Sequence, residues 1–122
     1  MPMAPCIVTR DGRLELGIGT PGSYGILQTT LQMVLNTLDF GMHVQAAIEA
    51  PRVRAFEGTR VDVEGRLGPE VVSELQSRGH DVRVLAPWTW AVGGAHGIRV
   101  DAERRVLQGG ADPRRDGQAV AY

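Results

Sequence analysis

The stretch GTPGSYGILQTTLQMVLNTLDFGM, residues 19–42, decides the fold because it joins a glycine-rich loop to the longest regular element of the sequence. From about Ile26 to Asp39 the apolar residues recur at helical spacing, which predicts an amphipathic helix. Gly41 suits the end of that helix. The apolar stripe, which we expect to lie in the core, consists of Leu27, Leu31, Val34, Leu35 and Leu38.

Shorter elements surround this helix on both sides. Upstream, residues 6–18 predict a β-hairpin, because two strand-like runs flank the tight-turn pair Asp11-Gly12. Downstream, the pattern predicts a second helix (44–50), two strands (52–56 and 60–64), a third helix (69–78), a strand (80–85) and a second hairpin (97–100 and 105–107), before a polar, irregular tail from Gly109.

The predicted elements indicate a fold class. Helices and strands are mixed, and two hairpins favour antiparallel pairing over a wholly parallel sheet. We therefore expect residues 1–122 to form a single domain of the α+β class, or one layer pair of a larger α/β/β/α sandwich.

Composition argues against several classes of function. A hydrophobic fraction of 43% in 122 residues allows one core, and no apolar run approaches the roughly 20 residues that a membrane helix needs. A formal net charge of -1 gives no reason to expect a nucleic-acid partner. His43, His80 and His96 are too widely spread for metal-ligand spacing, and the single Cys6 cannot form an internal disulfide. We therefore expect no metal, no cofactor, no nucleic acid and no membrane.

Residues 19–25 are the one segment whose pattern indicates chemistry. They lie between a strand and the N-terminus of the long helix, where glycines free backbone N–H groups to bind an anion or the oxyanion of an acyl-transfer intermediate. A plain turn that begins the helix is the alternative interpretation. Gly17, Gly19 and Gly22 also match a dinucleotide fingerprint, but Pro21 within the turn argues against nucleotide binding.

Four motifs, in order and without gaps, resemble the small subunit of the γ-glutamyltransferase family. They are GTPGS (19–23), LQMVLN (31–36), DFGM (39–42) and EAPR (49–52). Other segments that resemble the family are MAPCIV (3–8), GGAHGI (93–98), ADPR (111–114) and the terminal Tyr122. The resemblance therefore covers essentially the whole chain, and several linked motifs make it specific.

The resemblance implies an N-terminal-nucleophile hydrolase, which is made as a precursor and cleaves itself to expose a threonine. That threonine attacks the γ-glutamyl amide of a glutathione-type substrate, its own α-amino group serves as the base, and the acyl group passes to water or to an amine. Backbone N–H groups of the glycine-rich loop stabilise the oxyanion. Carried over to this sequence, those donors fall at Gly22 and Ser23.

Three departures from the family pattern matter. The nucleophilic threonine lies upstream of the motifs present here, so we expect no catalytic residue in this chain. The family's serine pair, which helps hold the substrate's α-carboxylate, is replaced by Met1 and Pro2. Ser23 stands where the family has a second glycine, and a left-handed conformation there would be costly. The resemblance thus implies a structural and oxyanion-loop portion of a γ-glutamyl or related amide hydrolase or acyltransferase.

This interpretation requires a partner, namely the missing portion or subunit that bears the nucleophile. The alternative is a stand-alone, non-enzymatic truncated domain or binding module, for which a homo-oligomer is an option. An exposed apolar face would favour the first interpretation, and a chain that closes its own surface would favour the second.

The second half of the chain contains two further features of interest. Trp88 and Trp90 flank Thr89 on a loop, and we expect them to pack rather than to form a binding platform. Asp112, next to Pro113, predicts a turn.

Overall fold

The computed structural model describes residues 4–121. Met3 and Tyr122, which contribute to the family resemblance, and Met1 and Pro2, which replace the family's serine pair, therefore lie outside the described residues. The helices and strands are β1 (Cys6–Arg10), β2 (Arg13–Gly19), α1 (Ile26–Leu38), α2 (Val44–Glu49), β3 (Val53–Ala55), β4 (Arg60–Glu64), α3 (Pro69–Ser77), β5 (Asp81–Leu85), β6 (His96–Asp101) and β7 (Val106–Ala111). All three α-helices begin at the predicted residue and end one residue earlier than predicted. The predicted mixture of helices and strands is confirmed.

Strands β1, β2, β6 and β7 form an antiparallel sheet in that spatial order. The predicted first hairpin is confirmed, and Asp11 and Gly12 both have positive φ, which suits a tight turn that matches the strand twist. One face of the sheet packs against α1 and α2. Its core consists of Leu16, Ile18, Met33, Val44, Ile48 and Ala95.

Glycines on β6 and β7 let helix α2 lie close to this sheet. A Cβ atom at Gly110 would stand 2.8 Å from Cδ1 of Ile48, and one at Gly97 would stand 3.2 Å from a methyl group of Val44. Side chains at either position would push the helix away from the sheet.

Strands β3, β4 and β5 form a second sheet, in which β3 pairs with β4 antiparallel and β4 pairs with β5 parallel. Helix α3 makes the crossover between the two parallel strands, as such a pair requires. Neither sheet is wholly parallel, so the predicted preference for antiparallel pairing is confirmed.

Helix α1 is rotated from its predicted orientation. The prediction that its apolar stripe forms the core is confirmed for Val34 and Leu38, which pack against the core, and wrong for the other three residues. Leu27, Leu31 and Leu35 are 71%, 57% and 38% exposed. The buried positions of the helix are instead Ile26, Thr29, Thr30, Met33 and Thr37.

Polar contacts explain this rotation. The side-chain amide of Gln28 both donates to and accepts from the backbone of Ala55, and Gln32 does the same with Val53, at 2.7–2.9 Å. These four hydrogen bonds satisfy an edge of β3 and fix which face of α1 turns inward. Hydrophobic spacing alone carries no information about such bonds.

The prediction of an irregular tail from Gly109 is also wrong. Strand β7 continues to Ala111, and a 3-10 turn follows over Pro113–Arg115. Asp112 does begin a turn, since its side chain accepts from the N–H of Arg114, but its surface is completely buried. Within residues 4–121, no helix combines the length and the apolar character that crossing a membrane requires.

Candidate functional site

The loop of residues 19–23 leaves the end of β2 and packs against Gly93 and Gly94. Oγ1 of Thr20 donates to the carbonyl oxygen of Pro21 at 2.8 Å and accepts from the N–H of Gly94 at 3.1 Å. A Cβ atom at Gly93 would lie 2.5 Å from that same oxygen. The fold thus brings together two segments that the sequence separates by about seventy residues, both of which carry the family resemblance.

Gly22 and Ser23 both have positive φ, of 140° and 54°. The left-handed conformation that we expected to be costly for serine is therefore the one that Ser23 adopts. Gly22 accepts from the N–H of Gly25 at 3.1 Å, which closes a short 3-10 turn before α1. Among residues 4–121, the N–H groups of Gly22 and Ser23 form no hydrogen bond with another group of the chain.

An open cavity of about 930 Å³ adjoins this loop. Its lining includes the loop itself, Ile26, Trp90, Ala91 and two arginines, Arg54 and Arg115. Trp90 is 69% exposed and lines the cavity. Trp88 does not line it, and instead lies under the guanidinium of Arg66, whose carbon is 3.5 Å from the ring centroid.

Behind the loop lies a buried ionic network of Arg52, Glu64, Asp112 and Arg114. Arg114 binds Glu64 through Nη2 at 2.6 Å and Nε at 2.9 Å, and binds Asp112 through Nη1 at 3.1 Å. Arg52 binds the other oxygen of Asp112 at 2.7 Å. Each of the four residues is at most 7% exposed, so the charges satisfy one another away from water.

The network also fixes the segment on which the loop rests. Oδ2 of Asp112 accepts from the N–H of Ala95 at 2.9 Å, and Nη1 of Arg52 donates to the carbonyl oxygen of Val92 at 3.1 Å. Oγ1 of Thr29 donates to the same carbonyl oxygen at 3.0 Å. Because residues 92–95 are held from three directions, Gly93 and Gly94 form a fixed floor beneath the loop.

Burial and ion pairing act in opposite directions on the two carboxyl groups of the network. Burial favours a raised pKa for Glu64, but the hydrogen bonds and charge of Arg114 and the N–H of Arg52 outweigh it and lower that pKa. Burial also favours a raised pKa for Asp112. Hydrogen bonds from the N–H groups of Ala95 and Arg114, together with the charges of Arg52 and Arg114, outweigh burial and lower that pKa below its ordinary value.

We expect the stability of the fold to decline in acid for this reason. A carboxyl group whose pKa is lower in the folded state contributes stability above its unfolded pKa, and that contribution is lost as the pH falls through the folded pKa. The ordinary values are 4.5 for Glu64 and 3.8 for Asp112, so the loss takes place below those values. The urea midpoint should be nearly constant from about pH 7 to about pH 5 and should fall by about pH 3. Glu64→Gln should show a smaller fall, and a wild-type midpoint that is unchanged in acid would contradict the assignment.

The side chain of His43 has a structural role. His43 begins α2, where its Nδ1 accepts from the N–H of Gln45 at 3.2 Å. In the part of the chain that the structure describes, no group of three or more His, Cys, Asp or Glu residues could hold a metal ion.

The ionic network was missed in the sequence, although its residues fall partly in matched motifs. Arg52 ends EAPR, and Asp112 and Arg114 belong to ADPR. Glu64 gave no local signal, because charged and apolar residues alternate along β4 and such alternation predicts a solvent-exposed charged face. The pairing across 50 and 60 residues has no sequence signal of its own.

Comparison with known proteins places these motifs in a family. The family model described as Gamma-glutamyltranspeptidase matches residues 2–122. The glutathione hydrolase-like YwrD proenzyme of Bacillus subtilis is 39% identical over 125 residues, which cover 97% of this chain and 23% of that protein. The acylase ACY 1 proenzyme of Pseudomonas sp. strain V22 is 37% identical over 98% of this chain and 20% of its own length.

Comparison with solved structures finds the same kinds of protein as the sequence comparison. A cephalosporin acylase from Bacillus halodurans superposes with a TM-score of 0.90 at 34% identity, over 97% of this chain and 22% of that chain. A gamma-glutamyltranspeptidase from Pseudomonas nitroreducens, complexed with L-DON, superposes with a TM-score of 0.81 at 31% identity, over 98% of this chain and 61% of that chain. This chain therefore spans only about a fifth of the curated relatives' length. The chain belongs to the gamma-glutamyltranspeptidase family.

Proposed function

We propose that this chain is the C-terminal portion of the small subunit of a γ-glutamyltransferase-like N-terminal-nucleophile hydrolase, and that it supplies the oxyanion loop. The observation that carries this proposal is that the N–H groups of Gly22 and Ser23, in a loop that matches the family motif, have no hydrogen-bond partner within residues 4–121. The nucleophilic threonine belongs to the missing portion. The chain alone is therefore catalytically silent.

The chemistry follows from those two donors. When the threonine oxygen of the missing portion attacks an amide carbonyl carbon, negative charge develops on the carbonyl oxygen. Two fixed N–H groups at that point stabilise the charge in the transition state more than in the substrate. Collapse of the tetrahedral intermediate breaks the carbon–nitrogen bond, and the amine leaves with the proton taken from the threonine hydroxyl. Water or an acceptor amine then attacks the resulting ester, which releases the acyl group and restores the threonine. We assign this role to Gly22 and Ser23, whose loop is held by Thr20 and by the floor at Gly93 and Gly94.

The incomplete surface of the chain supports a missing portion. The exposed leucine stripe, which we define as Leu27, Leu31 and Leu35, covers one side of α1. On the four-stranded sheet, the face turned away from the helices exposes Ile7, Ile98 and Leu107 by 67%, 53% and 70%.

Exposed large apolar side chains on both a helix and a sheet face are typical of surfaces that another part of a protein covers. In an α/β/β/α sandwich, a second sheet would cover the sheet face, and we propose that arrangement here. The alternative, a stand-alone truncated domain or binding module, would leave both surfaces in water unless a second copy covered them. We therefore propose residues 1–122 as one domain that is completed by the missing portion.

Charging the leucine stripe should prevent assembly without unfolding the chain. The double variant Leu27→Glu with Leu31→Glu replaces exposed side chains, so the free energy of unfolding of the isolated chain should change by less than about 1 kcal/mol. Binding to the missing portion should be lost, as measured by co-purification. Val71→Glu is the matched control, because Val71 is 39% exposed on α3, away from the stripe. Assembly that survives the double variant would exclude the stripe as the contact surface.

Recovery of the tagged chain from its native source tests the proposal as a whole. Intact mass and N-terminal sequencing of the purified material identify whatever accompanies the chain. The proposal expects a partner or an upstream extension whose processed N-terminus is threonine. A monodisperse chain that comes out alone would support the stand-alone alternative and contradict the proposed function.

A further inference from the structure

Strand β5 is an open edge of the three-stranded sheet. Within residues 4–121 only β4 pairs with it, because the strand order is β3-β4-β5. The opposite edge of the sheet differs, since the side chains of Gln28 and Gln32 bond the backbone of β3. An unpaired edge strand presents backbone donors and acceptors to which another strand can add.

The unused backbone groups are those of Val82 and Val84. The N–H of Asp81 donates to the carbonyl oxygen of Thr59, just before β4, so every second residue of β5, counted from Asp81, turns its backbone groups toward β4. The residues between them turn theirs to the other side. In the described part of the chain, the backbone groups of Val82 and Val84 form no hydrogen bond on that side.

The packing around β5 is incomplete. Neither β5 nor α3, the helix that contacts it, contains a buried residue. Val71 on α3 and Val84 on β5 are 39% and 56% exposed. The strand contains no proline and pairs with β4 without a bulge, so it lacks two of the features that commonly block pairing at an edge. A further strand would find both apolar surface and free backbone groups here.

The two charged side chains of β5, Asp81 and Arg83, are exposed and form no ion pair within residues 4–121. Their neighbours on β4 are Arg60 and Asp62. Those two residues pair with each other at 3.2 Å, which leaves Asp81 and Arg83 to groups outside the sheet.

These charges favour a second copy of the chain as the added strand. When two β5 strands pair antiparallel about a two-fold axis at Val82, the two copies of Val82 exchange both of their hydrogen bonds. Asp81 of each copy then lies opposite Arg83 of the other, at positions where facing side chains are closest. An axis at Arg83 would instead set two arginines opposite each other, and an axis at Val84 would leave both charges unpaired. Only the first register satisfies the backbone groups and the charges together.

We propose that β5 binds β5 of a second copy of this chain, in the antiparallel register centred on Val82. The two three-stranded sheets become one continuous sheet, and the two-fold contact closes on itself to give a dimer. A contact of five residues per strand is small, so the dimer is weak and depends on concentration. The inference goes beyond the proposed function and does not rest on it, because β5 contributes no residue to the glycine-rich loop or to its cavity.

Complementation between two charge variants tests this contact. Asp81→Arg sets arginine opposite arginine in the dimer, and Arg83→Asp sets aspartate opposite aspartate, so each variant alone should raise the dimer dissociation constant at least about tenfold. An equimolar mixture restores both opposite-charge pairs in the mixed dimer, whose dissociation constant should return to within about threefold of the wild-type value. Sedimentation equilibrium over protein concentrations up to about 1 mM measures these constants. The sample is the assembled protein, or the chain alone if that is what the native source yields.

Two further variants complete the test. Arg104→Asp makes the same change of net charge at an exposed arginine in the turn between β6 and β7, and it should leave the dissociation constant unchanged. Val82→Pro removes the N–H that faces the second copy but no hydrogen bond to β4, a substitution that edge strands tolerate. It should abolish the dimer without any change of charge, and it replaces the charge variants if circular dichroism shows either of them to be unfolded.

A wild-type protein that holds one copy of the chain at every concentration would overturn the inference. A dimer that survives both charge variants, or variants that stay monomeric when mixed, would also overturn it. Loss of the missing portion from the variants, in place of a second copy, would show that this portion covers β5 and would have the same consequence. Failure of the proposed function is a separate result, because a dimer without any threonine-bearing portion would retain the β5 contact.

Discussion

Replacing Arg114 with alanine is expected to lower the free energy of unfolding by about 3–5 kcal/mol, because it breaks a buried ion pair and leaves the partner charges uncompensated. The side chain of Arg114 has no exposed surface and bonds both oxygens of Glu64 and one oxygen of Asp112. It also donates to the carbonyl oxygens of Ile48 and Ala50, which end α2. Domains of this size have total stabilities of roughly 5–15 kcal/mol, so the loss is a large fraction of the stability of the fold.

Urea unfolding followed by circular dichroism measures this loss. Arg104→Ala is the control, because Arg104 is exposed and its pair with Asp101 lies at the surface; exposed pairs contribute little, so no comparable loss is expected. Arg114→Lys should fall between wild type and alanine, since it keeps the charge but not the fork that reaches Glu64 and Asp112 together. If Arg114→Ala were no more destabilising than Arg104→Ala, the network would not hold the fold together.

The second large effect concerns the reaction, and it is expected from Gly22→Ala in the assembled enzyme. Gly22 has φ of 140°, a conformation that a residue with a side chain rarely adopts, and its added Cβ would stand 3.4 Å from Cα of Gly93. The loop should change conformation, and its N–H donors should move away from the oxyanion. Loss of one such donor lowers kcat by about 10²–10³-fold. KM should change little, because the interaction is made chiefly in the transition state.

Ser23→Gly is the matched control for this prediction. It keeps the N–H group, and it replaces a serine at φ 54° with the residue that tolerates that conformation best. We expect its kcat to remain within a few-fold of wild type. A Gly22→Ala enzyme with unchanged kcat would remove the loop from the proposed mechanism. A large loss in Ser23→Gly would indicate that the serine side chain contributes as well.

The sequence predicted the local elements well, because turn residues and helix ends are local signals. The Asp11-Gly12 turn, the starts of all three helices and the second hairpin required no knowledge of tertiary contacts. The orientation of α1 could not be predicted in the same way. Its leucines satisfy a helical period, but the hydrogen bonds from Gln28 and Gln32 to β3 decide which face turns inward.

The candidate site, like the fold, has one part that the sequence predicts and another part that depends on tertiary contacts. Gly22 and Ser23 were recognisable from a motif, and their assignment as oxyanion donors remains a proposal. Their support was not recognisable, because the floor at Gly93 and the network behind it depend on long-range contacts. Asp112 illustrates the point, since its place before Pro113 indicated only a turn, whereas its full burial follows from charges that come from distant elements.

Hydrolysis of a γ-glutamyl anilide tests the central claim most directly. The assay compares the purified chain alone with the same chain assembled with the portion that begins with threonine. We predict no turnover above background for the chain alone and measurable turnover for the assembly, which Gly22→Ala should then reduce. Turnover by the chain alone would contradict the claim that this portion supplies the oxyanion loop but not the nucleophile.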